Sequence, residues 1–296
     1  MWSSPMFLSL SSVFALLGLA LVGIAVITDN WTEYQVNRRE IINAFKREPE
    51  LNTRLQTAFG HNLLYFSRTY GLFQICFPDT VPSDIGSFSK FGSPCIENQD
   101  YFPPSTKQEN YTTAELQRLY LLRASVILYC LGILFVLICL IIGVFGCWKR
   151  SPKLILATSL MLLFAVLFLA SGMALWHYVN YMERYVLETD PFYKSWEPIL
   201  KLVTRFNFGW SYVVSWIGIT FLLLATIFML ISYKAIKNEE DMALTAKHGP
   251  YIMPNYYDKG AMVPYGYNTM YSTGYNYPYT PHYGTGYYGS YMTYGR

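Results

Sequence analysis

The feature that most constrains this chain is a set of four long apolar runs. They lie at residues 6–28, 119–148, 154–179 and 210–233 of the 296 residues. A helix needs roughly 20 apolar residues to cross the hydrocarbon core of a bilayer, and every run meets that length. One such run also fits a buried helix of a large soluble protein, but four in so short a chain do not. The sequence therefore predicts a membrane protein with four spanning helices.

The composition agrees with this interpretation. Charged residues make up 14% of the chain, against about 25% in ordinary globular proteins. Arg123 is the only Lys, Arg, Asp or Glu inside the four runs, and its place near a helix end argues against a proton-coupled transporter or an ion pore through the bundle. The net charge of +3 gives no indication of a nucleic-acid partner.

The first run could be either a cleaved signal peptide or a retained helix. A signal peptide carries Lys or Arg before an apolar core of about 7–15 residues. Residues 6–28 lack the basic segment and exceed that length. We therefore favour a retained helix.

The basic residues near the helix ends predict the orientation of the chain. Lys149, Arg150 and Lys153 crowd the short link between the second and third runs, which holds no acidic residue. Cytoplasmic loops carry such an excess of Lys and Arg. We expect both termini to be cytosolic, with residues 29–118 and 180–208 outside.

The long outer segment should contain secondary structure, because structureless loops of this length are uncommon. Before residue 62, charged and apolar residues follow a helical spacing, and Pro49 should separate two short helices. Residues 64–76 are rich in Tyr, Phe and Leu, which favours a strand. Residues 77–109 are rich in Pro, Gly and Ser and should be mostly loop.

Two Asn-X-Thr sequons lie in this outer segment, at Asn30 and Asn110. Such a sequon is used only where the chain is exposed outside the cytosol. Asn30 follows the first run so closely that the bilayer should block a glycosylating enzyme, whereas Asn110 is well separated from it. We predict glycosylation at Asn110.

Cys76 and Cys95 are the two cysteines of the outer segment. A zinc site needs about four nitrogen or sulfur ligands, and a cysteine nucleophile needs a base. His61 and His177 are the histidines expected outside, and no motif ties either of them to Cys76. A disulfide needs no further group, suits an oxidising compartment and would contribute about 3 kcal/mol on the chain-entropy model. We expect a structural disulfide.

The other three cysteines, Cys130, Cys139 and Cys147, lie in the second run, where a free cysteine is usually a small apolar residue. Cys147 lies beside Trp148 at the expected cytosolic boundary, which makes it a candidate for palmitoylation. An unmodified thiol is the alternative.

Residues 238–296 carry about half of the chain's 27 tyrosines among Gly, Pro, Asn, Ser and Thr. Such a segment buries too little to offset its ordering entropy and should form a disordered cytosolic tail. Tyrosine phosphorylation and a multivalent adaptor role are the functional interpretations, and a tail without a fixed partner is the alternative.

Several short motifs together resemble the signature of the claudin superfamily, which includes the peripheral myelin proteins, the epithelial membrane proteins and the calcium-channel gamma subunits. They are a tryptophan after the first run, a Gly-Leu-aromatic triplet, two cysteines, an arginine that enters the second run, and a Gly-Trp-Ser that opens the fourth. In chain order these residues are Trp31, Gly71, Leu72, Phe73, Cys76, Cys95, Arg123, Gly209, Trp210 and Ser211. The resemblance covers roughly residues 5–237, which we expect to form the membrane domain.

The resemblance implies an all-α membrane protein, a left-handed four-transmembrane-helix bundle with a small extracellular antiparallel β-sheet. The disulfide would tie two strands, Leu72 and Phe73 would anchor the sheet to the membrane surface, and Trp31 would lie at the interface. Arg123 would either hydrogen-bond loop carbonyls to fix the sheet or snorkel to the surface.

Three departures favour a divergent member. Phe73 stands where the family has tryptophan, the distance from Trp31 to Gly71 is longer than in claudins, and Cys76 and Cys95 are farther apart. These features resemble the divergent invertebrate claudin-like proteins, the nematode Clc-like group among them.

The resemblance implies a non-enzymatic plasma-membrane protein at cell–cell contacts, working through its outer sheet. An auxiliary subunit that alters the gating or trafficking of a channel or receptor is the second hypothesis, which the helical insert favours by offering a partner surface. A four-helix carrier is a third, disfavoured by the uninterrupted runs. The expected partners are the bilayer, another membrane protein in cis or in trans, and a second copy of the chain. The sequence contains no Ser/His/Asp arrangement, metal-ligand cluster or phosphate loop, so we expect no enzyme and no cofactor.

Overall fold

The computed structural model describes residues 4–103, 111–149 and 151–247. In chain order its elements are α1 Ser4–Ile27, β1 Thr32–Val36, α2 Arg38–Arg47, α3 Pro49–His61, β2 Arg68–Tyr70, β3 Gln74–Cys76, β4 Phe88–Lys90, β5 Ser93–Glu97, α4 Thr113–Lys149, α5 Pro152–Tyr185, α6 Pro198–Val203, β6 Thr204–Phe208 and α7 Trp210–Lys247. Single turns of 3-10 helix lie at Leu63–Tyr65, Gln99–Tyr101 and Tyr193–Ser195.

Four of these helices, α1, α4, α5 and α7, are long and apolar enough to cross a membrane. They confirm the predicted four-helix membrane fold. The helices are longer than the apolar runs: α4 begins at Thr113 rather than at residue 119, and α5 ends at Tyr185 rather than at residue 179.

The expected start of the tail at residue 238 needs correction, because α7 continues to Lys247. The added turns contain Glu, Met, Ala, Leu and Lys, which are strong helix formers and need no buried face to stay helical. Residues 248–296 lie outside the part of the chain that the structure describes.

The bundle consists of two closely packed helix pairs. α1 packs along α7 and α4 packs along α5, while α5 and α7 join the two pairs. A Cβ at Gly132 of α4 would lie 2.6 Å from the Leu169 side chain of α5, so glycine is what allows this approach. Ser11 of α1 donates a hydrogen bond of 2.8 Å to the Ala225 carbonyl of α7.

A six-stranded antiparallel sheet lies at one end of the bundle, in the order β4-β5-β3-β2-β1-β6. β1 follows α1, and β6 precedes α7. The two strands pair in register from Thr32 opposite Phe208 to Val36 opposite Thr204. The closely packed helices α1 and α7 therefore continue into neighbouring strands, which joins the sheet to the bundle.

The helical arm, α2 and α3 together, rests on this sheet. It confirms the prediction of two short helices, and Pro49 is the first residue of α3. Ile41 of α2 is fully buried in a cluster with Tyr65, Trp196 and Leu200. The arm therefore shares a core with the segment that contains α6.

The strands of the middle segment depart from the sequence prediction. Residues 64–76 form two strands, β2 and β3, instead of one. Residues 77–109, expected to be mostly loop, contain the β4–β5 hairpin. Its two-residue turn has positive φ at Phe91 and at Gly92, 51° and 86°. Such turns are usually signalled by Asn-Gly or Asp-Gly, and Phe-Gly offers no such signal.

Candidate functional site

The joint between sheet and bundle lies where α1 ends and β1 begins. Trp31 is 1% exposed there, and its ring packs edge-on against Tyr129 of α4 and Trp176 of α5, with centroids 5.4 and 5.5 Å away. Its Nε1 donates to the Ala25 carbonyl at 2.7 Å. The expected interfacial tryptophan is thus enclosed by the top of the bundle.

Gly71 and Gly209 close on this joint from either side. A Cβ at Gly71 would lie 2.7 Å from the Asp29 Cα, and one at Gly209 would lie 2.0 Å from the Asn30 backbone oxygen. The Gly209 N–H donates to the Trp31 carbonyl at 2.9 Å. Glycine is therefore required at both positions by lack of space. We call residues 29–31, Gly71 and Gly209 the joint.

The Gly-Leu-Phe triplet places its two apolar side chains differently. Leu72 is 2% exposed and belongs to the bundle core that includes Trp31 and Leu122. Phe73 is 48% exposed, and its carbonyl accepts a 2.9 Å hydrogen bond from the Asn98 N–H. Of the two expected anchors, only Leu72 packs into the core of the protein itself.

Cys76 and Cys95 stand opposite each other on β3 and β5. Their sulfur atoms are 2.06 Å apart, which is a disulfide bond. The pair cannot supply a nucleophile or a metal ligand in this state. His61 instead contacts Asp84, with 2.6 Å between Nδ1 and Oδ2, and His177 stacks on Phe208.

Arg123 of α4 reaches the loop that follows β5. Its Nε donates to the Tyr101 carbonyl at 2.8 Å, and Tyr101 packs in the bundle core together with Leu72. This is the loop-carbonyl contact of the two alternatives considered for Arg123. Burial raises the pKa of Tyr101, so its phenol stays neutral.

The ion network of Arg118 was not predicted. Arg118 of α4 donates from Nε to Glu183 of α5 at 2.8 Å and from Nη2 to Asp100 at 3.1 Å. It thereby ties two helices and the turn after β5 at the sheet end of the bundle. In the sequence, Arg118 and Glu183 are visible only as charged residues near the ends of apolar runs. That position does not indicate that the two side chains contact each other.

Arg68 of β2 is a second unpredicted contact. It is 1% exposed and donates to the Leu64 and Phe66 carbonyls at 3.1 and 3.2 Å. Its guanidinium lies 4.6 Å from the Tyr34 ring, a cation–π distance. Burial raises the pKa of Tyr34 and of Tyr70, so neutral phenols surround this cation.

A cavity of about 190 Å³ lies between the sheet and the bundle and is lined by Arg68, Arg118, Glu183 and Trp176 among others. Its arginines are held by the contacts above. No group of three or more His, Cys, Asp or Glu able to hold a metal occurs among the described residues. The cavity's charged side chains Arg118 and Glu183 are thus bonded to each other within the protein.

The outward surface of the arm has a different character. A cleft of about 370 Å³ separates the arm from α6, with apolar walls that include Ala44, Leu51 and Ile199. Leu202 lines its edge and is 81% exposed. The ion pair of Arg54 and Glu197, 2.9 Å long, lies at the same cleft. The cleft thus combines apolar and charged lining residues beside an exposed leucine, which makes it the candidate interaction surface among the described residues.

Two predicted modification sites fall outside the part of the chain that the structure describes. Asn110 lies outside the described residues, and so does the side chain of Cys147, whose backbone belongs to α4. The Oδ1 of Asn30, the other sequon asparagine, is buried at the joint.

The comparisons with known proteins agree with this fold. A family model described as "PMP-22/EMP/MP20/Claudin tight junction" matches residues 16–231, well over half of the chain. The match begins within the first apolar run, ends within the fourth, and includes every motif residue. No curated protein matches the chain.

Proposed function

Because this chain belongs to the PMP-22/EMP/MP20/claudin family, we propose that it acts without enzymatic chemistry at cell–cell contacts. In this proposal it is a plasma-membrane protein, and its sheet and arm lie outside the cell. Its partner is a membrane protein of the facing cell or a second copy of itself.

The orientation rests on two features that lie at opposite ends of the bundle. The disulfide needs an oxidising compartment, and it lies in the sheet at one end of the bundle. Lys149 and Lys153 flank the link between α4 and α5 at the opposite end, where cytosolic charge is expected. Both termini are then cytosolic.

The observation that carries the proposal is the contrast between a fixed sheet and an open surface upon it. The sheet is held to the bundle by the joint, by Arg118 and by Arg123. The arm and α6 therefore present Leu202 and its cleft at a defined height and angle. A rigid support of this kind limits the entropy lost on binding.

A cell-aggregation assay tests the proposal. Non-adherent cells that express the full chain should aggregate with one another, at surface levels measured by biotinylation of intact cells. Cells that express the Gly209→Ala chain, in which the joint cannot close, should remain dispersed. Dispersed wild-type cells at full surface expression would contradict the contact function.

The cleft also favours the second hypothesis, an auxiliary subunit of a channel or receptor. A cleft of about 370 Å³ whose lining combines apolar residues with the Arg54–Glu197 ion pair suits a mixed apolar and polar surface of a neighbour in the same membrane. Affinity capture from native tissue in mild detergent, read by mass spectrometry, separates the two. A stoichiometric channel partner without aggregation supports the auxiliary role, and aggregation without one supports contact.

The modifications belong to the same proposal. Glycosylation at Asn110 predicts a glycosidase-sensitive mass that the Asn110→Gln variant lacks. Palmitoylation at Cys147 predicts hydroxylamine-sensitive acyl labelling that Cys147→Ser abolishes. Placement in the divergent, Clc-like group stays a prediction that rests on Phe73 and the wide cysteine spacing.

A further inference from the structure

The bundle leaves one helix pair poorly packed. α4 packs along α5 and α1 along α7, but α1 and α4 contact each other little. On α4, Phe135 and Cys139 face α5. Arg123, Cys130 and Leu137, spaced by seven, lie on the opposite side of α4, and both Cys130 and Leu137 are exposed. We call the space between α1 and this row the α1/α4 groove.

The α1 wall of the groove includes an open position. Leu19 packs against the bundle core, and Leu16 and Gly23 lie three and four residues from it, on the same side of the helix. Leu16 is 58% exposed. A Cβ at Gly23 would meet no atom within 4 Å. The α1 wall of the groove is therefore apolar, and the space beside Gly23 is open.

Two cations stand at the sheet end of the groove, one beside each helix. Lys90 of the β4–β5 hairpin donates to the Ile27 carbonyl at the end of α1, at 2.9 Å. Arg123 lies on α4. Each cation lies near an aromatic ring, Lys90 at 6.0 Å from Phe91 and Arg123 at 5.5 Å from Phe102. Both distances are within cation–π range.

Both phenylalanine rings are highly exposed, which is unfavourable for apolar side chains in water. Phe91 is 91% exposed and Phe102 is 83% exposed. Phe91 also has a φ of 51°, a conformation that disfavours large side chains and favours Gly or Asn. Such an outlier points to a functional reason. In the bilayer interface, beside the ends of spanning helices, both rings gain an apolar environment.

The two cations of the groove differ in how their charge is balanced. Lys90 is paired with Asp29 at 2.5 Å, so those two cancel. No carboxylate within the described ranges pairs with Arg123. A phosphodiester carries one negative charge and accepts the guanidinium's N–H groups well.

We propose that the α1/α4 groove binds one phospholipid, with its phosphate on Arg123 and an acyl chain between α1 and α4. Phe91 and Phe102 lie beside its glycerol region. The lipid site does not depend on which partner the arm binds. Its failure would therefore leave the proposed contact function untouched.

Native mass spectrometry of the full chain in detergent tests the site. Phosphatidylcholine and phosphatidylglycerol should both be retained, whereas diacylglycerol, which lacks the phosphate, should not. Arg123→Gln should weaken retention at least tenfold. Arg184→Gln is the matched control, because Arg184 also lies over rings at the sheet end, 4.0 Å from Phe206, but on α5. It should retain lipid as the wild type does.

A second variant keeps the test valid if Arg123→Gln fails to fold. Gly23→Leu adds a side chain at a position where a Cβ meets no atom within 4 Å, and it should lose the lipid while its melting temperature stays within a few degrees. Ala174→Leu, at an exposed position of α5, should keep it. Equal retention by Arg123→Gln and Arg184→Gln, or by Gly23→Leu and Ala174→Leu, would identify annular lipid only and overturn the proposal. Retention of diacylglycerol equal to that of the phospholipids would overturn it too.

Discussion

The joint and the arm are opposite in almost every physical respect. The joint has no spare room, with a Cβ at Gly209 placed 1.8 Å from the Asn30 Oδ1. The arm carries exposed charges, a cleft and, next to it on α6, a leucine that is 81% exposed. Trp31, Gly71 and Gly209 of the family motif lie at the joint, whereas the arm is an insert between Trp31 and Gly71. The contrast indicates that these motif residues hold the sheet on the bundle, and we propose that the arm and α6 carry the specificity of this chain.

The largest effect should follow from Gly209→Ala. Its Cβ cannot fit against Asn30, so we expect destabilisation of more than about 3 kcal/mol and loss of a monodisperse peak in detergent size-exclusion chromatography. Gly60→Ala is the matched control on the arm, since nothing lies within 4 Å of its Cβ. It should leave the peak intact and raise stability by up to about 1 kcal/mol. A folded Gly209→Ala protein would break the comparison.

Arg118→Gln should have the next largest effect. It leaves Glu183 buried without its cation, which costs about 3–5 kcal/mol when a buried pair is broken. On the arm, Arg54→Gln removes an ion pair whose arginine side chain is 63% exposed, and such pairs contribute about 0.2–1 kcal/mol. Thermal unfolding in detergent measures both. Similar losses from the two variants would show that the joint and the arm do not differ in rigidity.

Removal of the Cys76–Cys95 disulfide extends the comparison to the sheet. The Cys76→Ala/Cys95→Ala variant should lose about 3 kcal/mol and become insensitive to reductant, whereas the wild type should lose stability when reduced. Cys130→Ser, at an exposed free cysteine, should behave as the wild type. A wild type whose melting temperature ignores reductant would refute the stabilising role of the bond.

The smallest effect should come from the pair of His61 and Asp84 at the end of the arm. The hydrogen bond from His61 lowers the pKa of Asp84 below its ordinary 3.8. A carboxyl with a lowered pKa stabilises the fold above its unfolded pKa and loses that contribution as pH falls through the folded value. His61→Ala should therefore melt slightly below the wild type at neutral pH, and the difference should shrink as the pH falls below 3.8 and vanish once the pH has passed the lowered pKa of Asp84. A difference that grows on acidification would contradict this assignment.

The apolar runs, the cysteine pair and the two short helices could be predicted because each depends on local composition or compartment. β1 and β6 could not, since their pairing joins Thr32 to Phe208 across most of the chain and no local pattern carries such a contact. The β4–β5 hairpin was missed because its strands are short and its turn lacks an Asn-Gly signal.

The candidate site, like the fold, could be predicted only in part. Gly71 and Gly209 could be named from the motif. The reason that both positions require glycine could not be predicted, because the Asp29–Asn30 backbone comes close to them only in the folded chain. Arg68 and Arg118 carried no motif, because a buried arginine is defined by carbonyls and carboxylates from other segments. The Leu202 surface could not be predicted either. α6 is one short helix, and it lies in a segment whose acidic and basic residues balance.

The measurement that tests the central claim most directly is cell aggregation with paired variants of the exposed surface. Leu202→Asp places a charge beside the cleft, and Thr57→Asp places the same charge at an exposed position of the arm that does not line the cleft. At equal surface expression, we predict that Leu202→Asp cells stay dispersed and that Thr57→Asp cells aggregate as the wild type does. Aggregation of Leu202→Asp cells at the wild-type level would contradict the assignment of specificity to this surface.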